Sequence, residues 1–338
     1  MSNSVVIPFE HQQSAHCETG VLSNLMRFHG MRVSEPMAFG IGSGLFYSHM
    51  PFIKLNGIPV TSYRILPGHI FKRFSRNMGV EMRRIKFRDP REAMDELDRT
   101  LDKGLPAGML TSVFYLPYLP KAFRFHFNGH NIVVFGREGD EYLVSDPVME
   151  TPARIHRTAL MRARFAKGMP DIKGRMYYPV RVPGDADTAA AAIKGLRRTA
   201  RDMVNTPISM FGAKGIPYLA GKLRNYERKL GEKDARLALG NLIRMQEEIG
   251  TGGAGFRFMF AAFLQEAATL TGKPALREHA LTMTRIGDAW RDFAFDAGRV
   301  CKARATADIT YDTLADKLVA IGRQETALFK ELARIPKA

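Results

Sequence analysis

Two hydrophobic periods divide this chain. Up to about residue 183, runs of period two alternate with stretches of period 3.6; beyond it only the helical period remains. Residues 14–30 put Val21, Leu22, Leu25, Met26 and His29 on one stripe and stop at Gly30, which predicts a helix closed by a C′ glycine. The glycine-rich run VSEPMAFGIGSGLFY, residues 33–47, predicts a loop feeding a short strand. Helices are expected over 65–79 and over 90–103, the latter with Pro90 in its first turn and Gly104 just past its end. Strand-like runs follow at 107–115, 131–136, 141–145 and 176–182. After Pro183, GDADTAAAA predicts a linker or a frayed helix start, and 188–205, 218–230, 233–249, 256–271, 275–300 and 311–334 all predict helices. The pattern therefore predicts two domains, a mixed α and β domain over 1–184 and an all-α domain over 185–338. No repeat of fixed period occurs.

Within the first domain, GHNIVVFGREGDEYLVSDP predicts a β-hairpin around the turn REGD, with Gly139 free to take positive φ. Symmetry about residues 137–140 pairs positions whose numbers sum to 277, so His130 faces Pro147 and neighbours Asp146. A His and an Asp leaving the sheet at one open end can hydrogen-bond, the Asp holding the imidazole tautomer and stabilising the imidazolium. Alone, the pair reads more readily as a turn histidine and an Asp-Pro strand end. It gains meaning from Cys17, which opens the first helix in SAHCETG. The unpaired N–H groups and dipole of a helix N-terminus favour a thiolate. A helix-opening Cys, then a strand His, then Asp is the chain order of papain-like folds. These residues predict an α+β domain with an antiparallel sheet and a Cys17–His130–Asp146 triad. The oxyanion of such a site needs the Cys17 N–H and a side-chain amide shortly upstream; of Gln12 and Gln13, Gln12 has the better reach.

Charge changes the picture next. The formal net charge is +16, and residues 1–183 carry 25 Lys and Arg against 16 Asp and Glu, a surplus of +9 that leaves +7 for the rest. A basic excess spread over both halves attracts nucleic acid, anionic membrane or an acidic protein, or serves only to solvate the surface. No zinc finger, RNA-binding sheet signature or Lys/Arg block points to nucleic acid. No apolar run is long enough for a transmembrane helix, and Met1–Glu10 lacks the features of a signal peptide. Two cysteines make no disulfide framework, so the expected location is the cytoplasm.

Other features carry less. The stretch VFYLPYLPKAFRFHF (113–127) crowds aromatic residues ahead of His130, as an apolar wall for an acyl chain or as ordinary packing. His126 and His130 have metal-pair spacing, but Asn128-Gly129 between them breaks a helix, so no metal site is expected. Substrate contacts are expected from His16 and Glu18 beside Cys17, Gly42 in the glycine-rich run, and Tyr115 and Tyr118 in the aromatic stretch. Gly250–Gly255 matches the dinucleotide fingerprint by letters but follows a helix, which predicts a helix-to-helix turn, with helix-start N–H groups able to meet an anion. Arg257 and Glu266 share the following helix, as a buried ion pair or at a domain interface, and Cys301 is expected to be structural.

HCETGVLSNLMRFHG followed by SEPMAFGIGSGLFY resembles the N-terminal domain of the butirosin-biosynthesis acyltransferase family, and GHNIVVFG and YLVSDP fit the same domain. GTGGAGFRFMFAAFLQEA, with Trp290 further on, resembles the helical domain of unknown function that often follows it. The resemblance implies acyl transfer from a carrier-protein or CoA thioester to an amine in a specialised biosynthetic pathway. Acyl-phosphopantetheine or acyl-CoA would be co-substrate, with no bound cofactor. Carried onto this chain it makes Cys17 the nucleophile, His130 the base and Asp146 its orienter. An acidic acyl carrier protein would suit the basic surface. A papain-like amidase or peptidase, and a non-catalytic binding protein, are the alternatives; the oligomeric state, a homodimer included, stays open.

Overall fold

The computed structural model describes residues 4–336 apart from Asn56 and Met169. In chain order the elements are β1 (Ser4–Val6), α1 (Cys17–Phe28), α2 (Glu35–Ile41), β2 (Leu45–Leu55), β3 (Ile58–Arg64), α3 (His69–Met78), β4 (Glu81–Ile85), α4 (Pro90–Asp102), β5 (Ala107–Thr111), β6 (His130–Glu138), β7 (Glu141–Ser145), β8 (Ala153–His156), α5 (Arg157–Arg164) and β9 (Met176–Arg181). Helices follow: α6 (Thr188–Asn205), α7 (Gly215–Leu223), α8 (Tyr226–Leu230), α9 (Glu232–Glu247), α10 (Arg257–Thr271), α11 (Ala275–Cys301) and α12 (Tyr311–Ala333). The chain divides into two compact units, one of Met1–Ala38 and Met78–Ala186, the other of Phe39–Asn77 and Asp187–Ala338. This differs from a single cut at 184/185. The β2–β3 hairpin and α3 belong to the helical unit, because Tyr47 and Tyr63 pack their rings 6.0 and 5.5 Å from Trp290. Residues 1–3 and 337–338 of the expected domains lie outside the described residues.

The first unit is built on an antiparallel sheet in the order β4-β9-β5-β6-β7-β8, with β1 beside the far end of β6. Its core is formed by Met109, Ile132, Val134, Tyr142 and Val144 of the sheet, with Met94, Leu97 and Leu101 of α4 and Leu160 of α5. That face of α4 is its i, i+3, i+7 stripe, and the helix starts where Asp89 accepts from the Arg91 N–H at 2.8 Å, ahead of Pro90.

Two details of this unit depart from expectation. The β6–β7 turn is the two-residue Gly139-Asp140, between the paired Glu138 and Glu141, with Gly139 at φ 61°. A bulge between Val134 and Gly136 then shifts the register, so Val133 faces Ser145 and Val134 faces Val144. The pairing is one residue off the symmetric hairpin predicted above. The glycine-rich run is also not a loop: Ser34 Oγ accepts from the Met37 N–H at 3.2 Å and starts α2.

The second unit is helical apart from the β2–β3 hairpin. Gly250–Gly255 is the expected turn between helices, with positive φ at Gly250, Gly252, Gly253 and Gly255. The anion it holds is internal: both carboxylate oxygens of Glu247 accept from the Ala254 N–H at 3.2 Å. Arg257 is a buried ion-pair residue, but its partner is Glu325 on α12, at 2.8 and 2.9 Å, and Glu266 is exposed. Trp290 Nε1–H donates to the same carboxylate at 2.7 Å. Cys301 closes α11, and burial pushes its thiol up.

Candidate active site

Cys17 is the first residue of α1, placed there by its neighbours. His16 is the N-cap: its backbone is extended and its Nδ1 accepts from the Thr19 N–H at 3.4 Å. Glu35, at the start of α2, accepts from the N–H groups of Ala15 and His16 at 3.0 and 2.7 Å and from Thr19 Oγ1 at 2.9 Å. This carboxylate therefore holds the backbone immediately before Cys17. Burial pushes its pKa up, against the lowering effect of those donors. Upstream, the Ser14 N–H donates to Pro147 O at 2.7 Å, tying the approach to α1 to the end of β7. At Gly20 an added Cβ would stand 2.6 Å from Pro147 Cβ and 2.7 Å from Ser14 Cβ, so only glycine lets the helix come this close.

His130 and Asp146 meet despite the shifted register: His130 Nε2 lies 2.8 Å from Asp146 Oδ2. The Cys17 sulfur lies close enough to the imidazole to act on its titration alongside Asp146. Burial lowers the imidazole pKa, but the Asp146 charge and hydrogen bond, with the Cys17 sulfur, outweigh it and hold His130 well above its ordinary value. Asp146 is itself fully buried and oriented. Tyr118 donates its hydroxyl to Oδ2 at 2.9 Å, and the Val148 N–H donates to Oδ1 at 3.2 Å. Burial and the adjacent carboxylate push the Tyr118 phenol up, so it remains a donor.

Several expected contacts take other roles. Gln12 is exposed, its side-chain oxygen accepts from Arg27 and its backbone oxygen from Asn24 Nδ2 at 3.0 Å. His16 is buried in its own cap, and Tyr118 is spent on Asp146 rather than substrate. Glu18 is 1% exposed and lies close enough to Tyr177 to act on its charge. Tyr115 packs against the sheet core, and its ring meets Phe114 edge-on at 5.1 Å. Gly42 follows α2 in the second unit. His126 stacks on Phe114 at 4.0 Å. Among the described residues, no group of three or more His, Cys, Asp and Glu is placed to hold a metal ion.

Sequence reading missed three residues at this site. Asn131 Nδ2 lies 3.9 Å from the Cys17 sulfur, and its Oδ1 accepts from Tyr177 OH at 2.7 Å. His11 reaches Ser145 Oγ at 2.7 Å and Met149 O at 3.1 Å, strapping the N-terminal segment over both sides of Asp146. The Asn beside His130 was the available signal for the first; nothing local marks Tyr177 or His11.

A cysteine on a helix start, with a His and an Asp brought together from antiparallel strands, is the arrangement seen in papain-like cysteine enzymes. Residues 16–147 match the family described as butirosin biosynthesis protein H, N-terminal, and residues 158–332 match a domain of unknown function (DUF4872). A Bacillus anthracis protein described as a C39-like peptidase aligns with a TM-score of 0.37 and 14% identity, over 53% of this chain and 99% of that chain. None of the curated proteins matches. No helix among the described residues is long and apolar enough to cross a membrane. With more than half of its length in the second match, the chain belongs to the DUF4872 family, and carries that domain behind a butirosin biosynthesis protein H N-terminal domain.

Proposed function

We propose that this protein is a cysteine-dependent acyltransferase that takes an acyl group from a carrier-protein or CoA thioester, holds it on Cys17 and delivers it to an amine. The observation that carries the reading is His130, bonded to the buried Asp146 at 2.8 Å and raised in pKa by that carboxylate and by the Cys17 sulfur. A protonated imidazole beside the thiol favours the Cys17 thiolate. That thiolate attacks the thioester carbonyl, and the departing carrier thiol takes the His130 proton. The acceptor amine then attacks acyl-Cys17, gives its proton to His130 and releases the thiolate. Thioester exchange is nearly balanced and amide formation runs downhill, so the second half drives the cycle. The match to a butirosin biosynthesis domain favours transfer within a biosynthetic pathway over hydrolysis. The net charge of +16 suits an acidic carrier protein with its phosphorylated arm.

The test is intact-protein mass spectrometry after incubation with an acyl-carrier thioester or an acyl-CoA. An acyl adduct absent from Cys17→Ala, and discharged faster by an amine, is the expected result. An adduct lost to water at the same rate with or without amine makes the protein a hydrolase. No adduct with any thioester, together with a Cys17 inert to iodoacetamide, removes the catalytic reading.

A further inference from the structure

We infer that the Asn131 side-chain amide is the second donor of the oxyanion hole, and that Tyr177 positions it. The inference rests on the acyl-transfer reading above and adds one catalytic and one positioning residue to it. The amide is 5% exposed and its Nδ2 lies 3.9 Å from the Cys17 sulfur. At that separation it holds the sulfur only weakly, yet leaves room for an oxygen on the carbon that the sulfur attacks. The Cys17 N–H, at the first position of α1, points out of the helix N-terminus and supplies the other donor. Gln12, the upstream amide, is an exposed residue whose carbonyl oxygen accepts from Arg27.

An asparagine amide can face either way, and here the neighbours decide it. Burial, then the negative charges of Glu18 and Cys17, push the Tyr177 phenol well up against the pull of Arg84, so it keeps the proton it donates. Gly129 O, which can only accept, faces one end of the amide, so that end is Nδ2, and Oδ1 is left to accept from the Tyr177 hydroxyl at 2.7 Å. The amide NH2 is left for the sulfur and for Gly129 O, at 3.4 Å. Tyr177 comes from β9, inside the DUF4872 match and outside residues 16–147. The second family's segment thus completes the site of the first.

In the acylation step a thiolate lone pair forms the S–C bond and the carbonyl π pair moves onto oxygen, where Asn131 Nδ2–H and the Cys17 N–H meet it. When C=O re-forms, the bond to the carrier sulfur breaks and that sulfur leaves with the His130 proton. Alkylation of Cys17 by iodoacetamide is a displacement at saturated carbon and makes no oxyanion, so it separates the two roles.

The experiment compares full-length wild type, Asn131→Ala, Asn131→Asp and Tyr177→Phe. Two rates are measured on each: acyl-Cys17 formation from an acyl-CoA by intact mass, and iodoacetamide alkylation of Cys17. Asn131→Ala and Asn131→Asp are expected to acylate about 10²–10³-fold more slowly. Tyr177→Phe should show a smaller loss of the same kind, and alkylation should stay within about threefold in Asn131→Ala and Tyr177→Phe; in Asn131→Asp, whose carboxylate disfavours the thiolate, alkylation should fall but by less than acylation. Acylation at the wild-type rate in either Asn131 variant, or equal loss of both rates, overturns the inference. Should Asn131→Ala fail to fold, the near-isosteric Asn131→Asp and the Tyr177→Phe variant decide it. A wild type that is alkylated but never acylated refutes the acyl-transfer reading itself and this inference with it.

Discussion

Replacing Asp146 by Asn asks whether a carboxylate, and not merely a polar group of its shape, sets the charge on His130. Asp146 Oδ2 takes both the His130 ring at 2.8 Å and the Tyr118 hydroxyl at 2.9 Å, with Asp146 fully buried. Asparagine keeps the volume and one acceptor and loses the charge. Burial, which alone lowers the His130 pKa, is then opposed only by the Cys17 sulfur. The charge-assisted bond to a buried imidazolium is worth about 2 kcal/mol. The sign follows from linkage. His130 is raised above its ordinary 6.5 in the folded wild type, so its contribution is fully present below 6.5 and is lost as pH rises through the folded value. Urea unfolding of wild type and Asp146→Asn should therefore differ by about 2 kcal/mol below pH 6.5, with the gap closing at higher pH. The carbon resonances of the His130 imidazole, assigned by their loss in His130→Gln, should titrate at lower pH in the variant. Alkylation of Cys17 by the anion iodoacetate, which the imidazolium attracts, should lose its rate at correspondingly lower pH. A His130 that titrates identically in both proteins, or a stability gap independent of pH, would refute the reasoning.

Three further perturbations bear on the scaffold of the site. Gly20→Ala ordinarily stabilises a helix interior by up to about 1 kcal/mol; here the Cβ meets Pro147 and Ser14 at 2.6 and 2.7 Å, so thermal melts should show a net loss instead, of about 1–2 kcal/mol. Glu35→Gln sets an NH2 donor against one of the N–H groups of Ala15 and His16, which should cost about 1–3 kcal/mol in urea titrations and slow Cys17 alkylation; wild-type values for both would show that this clamp is idle. Glu325→Ala strands the buried Arg257 guanidinium and the Trp290 N–H, and should cost about 3–5 kcal/mol, read by the quenching or shift of the single tryptophan on denaturation.

What could be read from the chain beforehand follows the range of the interaction that determines it. Cys17 at a helix start is a local matter: the 3.6-residue stripe of Val21, Leu22, Leu25 and Met26 and the capping His16 lie within a dozen residues of each other. The nearness of His130 to Asp146 is almost as local, because a hairpin must bring its open ends together whatever its exact register. The register itself departs from the symmetric hairpin, since a Gly139-Asp140 turn and a bulge near Phe135 act in opposite directions and neither is visible as a period. Segment 33–47 carries glycines that look like loop signals although it forms α2 and the start of β2. Their reason is packing: a Cβ on Gly40 would fall 2.1 Å from the Phe263 ring, 223 positions along the chain. The same distance rule governs the amide. Gln12 is near Cys17 in sequence, but Arg27 claims its side chain, whereas Asn131 owes its orientation to Tyr177 on a strand that no local pattern ties to it. Activation of the sulfur by its own helix is thus written in one short segment. Stabilisation of the charge that leaves the sulfur is assembled from β6 and β9, and becomes readable only once the strands are paired with β5 between them.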